Sequence, residues 1–256
     1  MSSLSIYPLC LGTFPSVEKS IFTYACNQGV KFRACCIGWY IGGATKKVLV
    51  DTGPSDPDLS ARYHPHLRLD KDKVTLEQAL SKVGVKPQEI DLVIFTHLHW
   101  DHCYNLESLS KSSFLVQNDE IQYAVSPLPI HKVAYEVDIP DLRPAWMSVF
   151  DRIRITNNDE EILPGISVVS LPGHTPGFQG VMVQSEKKRY LIAGDAIPLF
   201  ENWKGNIPHG VHIDLREYEK TFKKIKSLRP DVILPGHDER VFEMRTNPPS
   251  IDIMAF

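Results

Sequence analysis

Apolar positions along this chain fall in short runs of strand length, separated by polar turns rich in Gly and Pro. Ile6 to Leu11, Arg33 to Ile41 and Lys46 to Asp51 read as strands, the third ending at the turn Asp51-Thr52-Gly53-Pro54. Thr75 to Val83 has helical spacing through Leu76, Ala79, Leu80 and Val83, with Thr75 as its cap and Glu77 as a box partner one position off ideal. Asp91 to Thr96 is a buried strand and Ser113 to Gln117 another, followed by a short helix from Asp119 to Val125 capped by Asn118 or Asp119. The character changes from Ser126 to Asn158, where Pro127, Pro129, Pro140 and Pro144 mix with Tyr135, Trp146 and Phe150. This stretch reads as an insertion that either covers a pocket or forms a subunit contact. Strands return at Ile166 to Leu171, Phe178 to Val183 and Arg189 to Ala193. A helix capped by Asp214 then runs to Ser227 with Leu215, Tyr218, Phe222 and Ile225 on one stripe, and Asp231 to Leu234 is the last strand. Two successions of strands and helix predict two similar halves, packed as sheets between helices.

Composition narrows the class. With 256 residues, 43% hydrophobic and 23% charged, the chain is an ordinary globular one, long enough for a single large α/β domain spanning 1–256. Lys and Arg total 28 against 31 acids, so no basic surplus points to nucleic acid or to an anionic membrane. No apolar run approaches the ~18 residues of a spanning helix. The opening Met1-Ser2-Ser3-Leu4-Ser5 has no basic segment ahead of an apolar stretch, so no secretory signal is expected. Five cysteines without a CxxC pair fit reduced thiols in a cytoplasmic protein.

The chemistry gathers where strands end. Thr96-His97-Leu98-His99-Trp100-Asp101-His102 holds three histidines and an aspartate within six residues. At an extended strand end His97 and His99 point the same way, and a turn would bring Asp101 and His102 round the pocket. Three further strand ends carry one ligand type each, beside glycine: His174 in Pro172-Gly173-His174-Thr175-Pro176-Gly177, Asp195 in Gly194-Asp195-Ala196, and His237 in Pro235-Gly236-His237. Imidazoles with carboxylates suit zinc and similar first-row ions. Five histidines and two aspartates are too many for one tetrahedral ion and natural for two.

This HxHxDH segment, with the later PGH histidine, the GDA aspartate, the final PGH histidine and the early DTG turn, resembles the metallo-β-lactamase superfamily of hydrolases. The resemblance implies a four-layer αββα sandwich, two mixed sheets flanked by helices, with the metal site at one edge. It implies that His97, His99 and His174 hold one divalent ion and Asp101, His102 and His237 a second, with Asp195 bridging. Zinc is the first expectation, with iron, manganese or cobalt as alternatives. Cys103 matches no ligand position and reads as a small buried residue.

Within the superfamily the chain looks most like the N-acyl-homoserine lactonase-like branch, which shares a long segment ahead of the DTG turn. The resemblance implies opening of a lactone, an N-acyl-homoserine lactone or related ester, through a hydroxide shared by the two ions, with Asp101 and Asp195 as catalytic groups. Thioester hydrolysis of the glyoxalase II type and mononuclear-iron sulfur dioxygenation are the alternatives. The stretch from Thr13 to Phe32 reads as irregular, and its Phe14, Phe22 and Tyr24, together with Phe200, Trp203 and His209, are candidate substrate contacts. One departure stands out: the branch commonly carries a tyrosine three positions after the bridging aspartate, and Pro198 occupies that place. Tyr104, His209 and His212 could stand in for it. A small-molecule substrate is the expected partner, and the expected assembly is a monomer or homodimer.

Overall fold

The computed structural model describes residues 4–72, 74–185 and 188–243. The first and last residues of the expected domain, Met1 to Ser3 and 244–256, lie outside the described residues. One sheet is built, in order, from β1 (Ser5–Glu18), β2 (Lys31–Gly42), β3 (Val48–Val50), β4 (Leu92–Ile94), β5 (Ser113–Gln117) and β6 (Ile153–Thr156). Its first three strands are antiparallel and the pairs from β3 to β6 parallel. The second sheet runs from β7 (Glu160–Leu163) through β8 (Ile166–Ser170), β9 (Gln179–Gln184) and β10 (Arg189–Gly194) to β11 (Val232–Pro235), and only the β10–β11 pair is parallel.

Side-chain alternation divides each strand between two cores. Val48 and Val50, Leu92 and Ile94, Tyr190 and Ile192, and Val232 and Leu234 pack in the core between the sheets. Their sequence neighbours Leu49 and Val93 join a core on the outer face of the first sheet, and Leu191, Ala193 and Ile233 a core on the outer face of the second. Helices cover those outer faces. The first receives Leu76, Ala79 and Leu80 of α2 (Leu76–Ser81) and Ile121 and Ala124 of α3 (Asn118–Val125), while α1 is the short helix Pro57–Tyr63. The second receives Tyr218, Phe222 and Ile225 of a long helix, Leu215–Leu228, whose cap Asp214 accepts the amides of Arg216 and Glu217. Each fully buried Leu, Ile or Phe contributes about 1.5–3 kcal/mol to holding these layers together. The αββα order of layers is the one expected.

Several local expectations need correction. The cap partner of Thr75 is Gln78, three residues on, and not Glu77: its side chain returns a bond to the Thr75 amide and completes a regular capping box. Neither Asn118 nor Asp119 caps α3. The helix begins at Asn118, and the preceding Gln117 directs its amide to the Asn158 carbonyl and to Gln179. The stretch from Thr13 to Phe32 is not irregular throughout, because β1 continues to Glu18 and β2 starts at Lys31. Only a 3-10 turn at Lys19–Ile21 and the following loop separate them. The supposed insertion is partly core: α4 (Lys132–Tyr135) buries Tyr135, a 3-10 segment Ala145–Arg152 buries Trp146 and Val149, and β6 closes the sheet edge. Phe150, like Leu128, Ile130 and Val133, is exposed and lies outside the core, as expected for that stretch.

Candidate metal centre

All four ligand-bearing segments leave the sheets at the same end. The strand β4 stops at Ile94, and the chain after it carries His97 and His99 before turning, with the His102 amide bonded to the His99 carbonyl at 3.0 Å. His174 follows β8, Asp195 follows β10 directly, and His237 follows β11. Two glycines are needed for this convergence. Gly173 has φ +140°, and a Cβ there would lie 2.7 Å from the Tyr218 ring. A Cβ on Gly236 would meet the Asp195 carboxylate at 2.7 Å and the Gly194 backbone at 2.9 Å, so the strand ends could not approach as they do.

The seven predicted ligand residues come together, and every one is buried. His174 Nε2 lies 3.3 Å from His97 Nε2 and 3.1 Å from His99 Nδ1. Tetrahedral zinc with bonds of about 2.0–2.1 Å needs ligand atoms roughly 3.3 Å apart; both distances to His174 match that spacing, and all three nitrogens lie within 4.8 Å of one another. On the other side, His102 Nε2 and His237 Nε2 lie 3.5 and 3.0 Å from Asp195 Oδ1, and 3.7 and 3.9 Å from Asp101 Oδ2. Asp195 divides its oxygens: Oδ1 faces His102 and His237, whereas Oδ2 lies 3.4 Å from His174 Nε2. His102 Nε2, His237 Nε2 and Asp195 Oδ1 are buried without a hydrogen-bond partner. Inward-facing orphaned acceptors of this kind are what cations would satisfy, and the donor set fits two of them.

Burial pushes the imidazoles of His97, His99 and His174 below their ordinary range, which keeps them neutral and able to ligate. For His102 burial acts in the same direction, but the carboxylates of Asp101, Asp195 and Asp51 outweigh it and hold the ring above that range, so a cation entering there would displace the Nε2 proton and leave the one on Nδ1. Burial raises the Asp195 carboxyl, and His237 and His102 beside it more than reverse the effect, leaving it well below the usual carboxylate value.

Of the predicted substrate contacts, Phe14 and Phe22 are buried against the cluster, their rings 6.2 and 4.9 Å from that of His237. His209 is buried as well, its Nε2 3.6 Å from Asp195 Oδ2. Tyr24 is 41% exposed and packs on His212. Phe200 and Trp203 are not brought to the ligands. They lie on α5 (Phe200–Gly205), Phe200 packing against the inter-sheet core beneath the Arg240 guanidinium and Trp203 on Phe222 in the outer core. Cys103 is buried in the outer core of the first sheet, as expected.

Sequence reasoning missed several contributors. Asp51 of the DTG turn accepts the Thr96 amide and hydroxyl, each at 2.8 Å, and His102 Nδ1–H at 2.9 Å, so it orients a ligand from behind. Its position at the end of a strand, just ahead of a glycine turn, was the available signal. The Cys36 thiol lies within 4.8 Å of the Asp101 and His237 ligand atoms. Glu120 accepts the Leu98 amide and the hydroxyls of Tyr135 and Thr175, tying both histidine loops to α3. Glu136 accepts the Tyr104 hydroxyl and lies 3.0 Å from His64 Nε2, while the His64 ring stacks on Trp100 at 4.0 Å. Nothing in the sequence pattern joined these distant positions.

An N-acyl homoserine lactonase from a Bacillus species is 28% identical over 164 residues, which cover 62% of this chain and 60% of the relative. The match thus spans about three fifths of that relative's length. Among solved structures, a variant of the Bacillus thuringiensis lactonase AiiA with N-decanoyl-L-homoserine at its active site superposes with a TM-score of 0.77, at 23% identity, covering 97% of this chain and 99% of that one. AidC, described as a dizinc quorum-quenching lactonase, superposes at 0.73 with 14% identity, covering 93% and 89%. Residues 38–237, from β2 to the final ligand-bearing turn, match the Metallo-beta-lactamase superfamily, and the chain belongs to that family.

Proposed function

We propose that this protein is a dinuclear-metal-dependent hydrolase that opens a lactone, an N-acyl-homoserine lactone or a related ester. One observation carries the reading: two groups of ligand atoms face each other with the two oxygens of Asp195 divided between them. The second group is as complete as the first, which favours two ions over the single iron of a sulfur dioxygenase. The Bacillus lactonase relative supports the lactone over the thioester. Zinc suits the imidazole-rich donor set best, with iron, manganese or cobalt compatible.

Two divalent ions held there supply an activated water and polarise the scissile carbonyl. The chain's own residues do the rest. His97, His99 and His174 on one side, and His102, His237 and Asp101 on the other, fix the reacting centre with Asp195 between them. Asp101, 9% exposed, is the most open of the seven and can carry a proton between the site and solvent. Phe14 and Phe22 present an apolar wall beside His237 that would meet the acyl part of a substrate and keep water out. Such a protein needs only its small-molecule substrate as partner, works as monomer or homodimer, and its five free cysteines suit the cytoplasm.

The test is acid release in a pH-stat by metal-quantified protein, offered acyl-homoserine lactones of several chain lengths, simple γ- and δ-lactones, a thioester and a β-lactam. Metal-dependent turnover of lactones, abolished in Asp195→Asn, is the expected result. Silence on every lactone with about two metals bound would overturn the substrate assignment and leave thioesters as the next candidate.

A further inference from the structure

A buried neutral imidazole has one proton, and the partner of one ring nitrogen decides what the other can offer. Four histidines of the cluster are built alike. His102 Nδ1 donates to Asp51 at 2.9 Å, His237 Nδ1 to the Cys35 carbonyl at 3.0 Å, and His174 Nδ1 to the Val211 carbonyl at 2.7 Å. His97 Nδ1 donates to the Thr96 hydroxyl at 3.0 Å, since that hydroxyl spends its own proton on Asp51. In each ring the proton is held outward at Nδ1, and Nε2 turns a lone pair inward, as a cation requires.

His209 is built the other way round. Its Nδ1 faces the backbone N–H of Val211 at 2.9 Å, and a backbone amide can only donate. The lone pair must therefore sit on Nδ1 and the proton on Nε2. That Nε2–H is buried, has no hydrogen-bond partner, and points at the cluster, 3.6 Å from Asp195 Oδ2. One residue sets both polarities: Val211 takes the proton of His174 on its carbonyl and gives its amide to His209. The His174 and His209 rings lie side by side with centroids 4.5 Å apart, one presenting an acceptor and the other a donor.

We propose that His209 is the site's hydrogen-bond donor to substrate and not an additional metal ligand. Resting on the hydrolase reading, this assigns its Nε2–H to the carbonyl oxygen of the ester, which gains negative charge as the carbonyl carbon is attacked, next to the His97–His99–His174 set. The other two stand-ins for the tyrosine replaced by Pro198 are engaged elsewhere. Tyr104 gives its hydroxyl to Glu136, and His212 Nδ1 donates to the His209 carbonyl at 2.8 Å. Phe22, with its ring 5.4 Å from that of His209, closes the apolar side of the donor and keeps it from being spent on water.

The experiment compares wild type, His209→Leu and His209→Gln as full-length, zinc-loaded protein. Three readouts are used: metal per chain, turnover of N-hexanoyl-L-homoserine lactone, and the protonated nitrogen of each ring by 1H–15N correlation on 15N-histidine protein. The expected pattern is unchanged metal content in all three. In His209→Leu kcat falls about 100-fold or more with KM changed little, and His209→Gln, which keeps an N–H, recovers a large part. In wild type, His209 carries its proton on Nε2 while His102, His174 and His237 carry theirs on Nδ1. Loss of metal in both variants, or full kcat in His209→Leu with two metals bound, overturns the proposal. If wild type turns over no ester at all, the lactonase reading fails separately. The ring proton then decides: on Nδ1 it overturns the donor, on Nε2 it upholds it.

Discussion

Asp51 touches no ligand space, yet it takes hydrogen bonds from the Thr96 amide, the Thr96 hydroxyl and His102 Nδ1–H. An asparagine there has one acceptor oxygen and an NH2 group that must face a donor. Asp51→Asn is therefore expected to weaken binding of the ion held by His102 by about 10–100-fold, read by competition with a chromophoric chelator. Unchanged affinity would mean that His102 is oriented by something else. Glu120 plays the corresponding part for the other two loops. Its side chain is wholly buried and receives the Leu98 amide at 2.9 Å, Tyr135 at 2.9 Å and Thr175 at 2.6 Å. Glu120→Ala leaves those donors without an acceptor, at about 1–3 kcal/mol each, so urea unfolding should show a loss of about 3 kcal/mol or more. Burial also holds the Glu120 carboxyl above its ordinary 4.5. A carboxyl raised in the fold favours folding fully below its unfolded value, and that contribution is lost as pH rises through the folded value. Stability of wild type should thus fall with rising pH above about 4.5 relative to Glu120→Gln, which has no such proton. Parallel curves for the two proteins would count against it.

At the level of elements, the turns were legible and the long strands were not. His174, Asp195 and His237 each sit beside a glycine just after an apolar run, and the other four are crowded into His97 to His102 behind the apolar run Leu92 to Phe95, so sequence alone reached all seven residues that the turns gather. The close approach at Gly236 makes this testable. Gly236→Ala would press a methyl against Asp195 Oδ1 and the Gly194 backbone, and neither can retreat without moving the strand end. Overpacking of this kind costs about 1–3 kcal/mol. The larger effect should be on the site, with metal content falling from two ions per chain, measured by elemental analysis of the folded variant. The continuation of β1 was hidden because register shifts between Cys10 and Gly12 and between Phe14 and Val17 break its alternation. The stretch from Ser126 to Asn158 misled for a related reason: its prolines do interrupt regular structure, but burial of Tyr135 and Trp146 depends on tertiary contacts that local pattern does not encode. Phe200 and Trp203 follow Asp195 closely in sequence, yet α5 directs one to the inter-sheet core and the other to α6, the helix Leu215–Leu228.

For the molecule as a whole, the two packed sheets end in a concentration of buried polar groups that the fold alone does not satisfy. His174 Nε2 lies 3.1–3.3 Å from ring nitrogens of His97 and His99, and His102, His237 and Asp195 turn unpartnered atoms toward one another. Desolvating such groups without partners opposes folding. In the unfolded chain the ligands are scattered from His97 to His237 and solvated, so an ion that bridges them binds the native state in strong preference. At free metal a thousandfold above Kd, each ion adds about 4 kcal/mol to stability. For a domain of this size about 2–4 °C accompany each kcal/mol, so an ion is worth roughly 8–16 °C in Tm. Removing metal with a chelator should therefore lower the calorimetric midpoint by at least ten degrees or so, and returning zinc should restore it in two steps if the sites fill in sequence. His209→Leu should follow the same metal dependence as wild type, since a donor that ligates nothing has no share in that linkage, whereas His174→Ala should lose much of it. An identical midpoint with and without metal would show that the cluster pairs internally, and the dinuclear reading would fall with it.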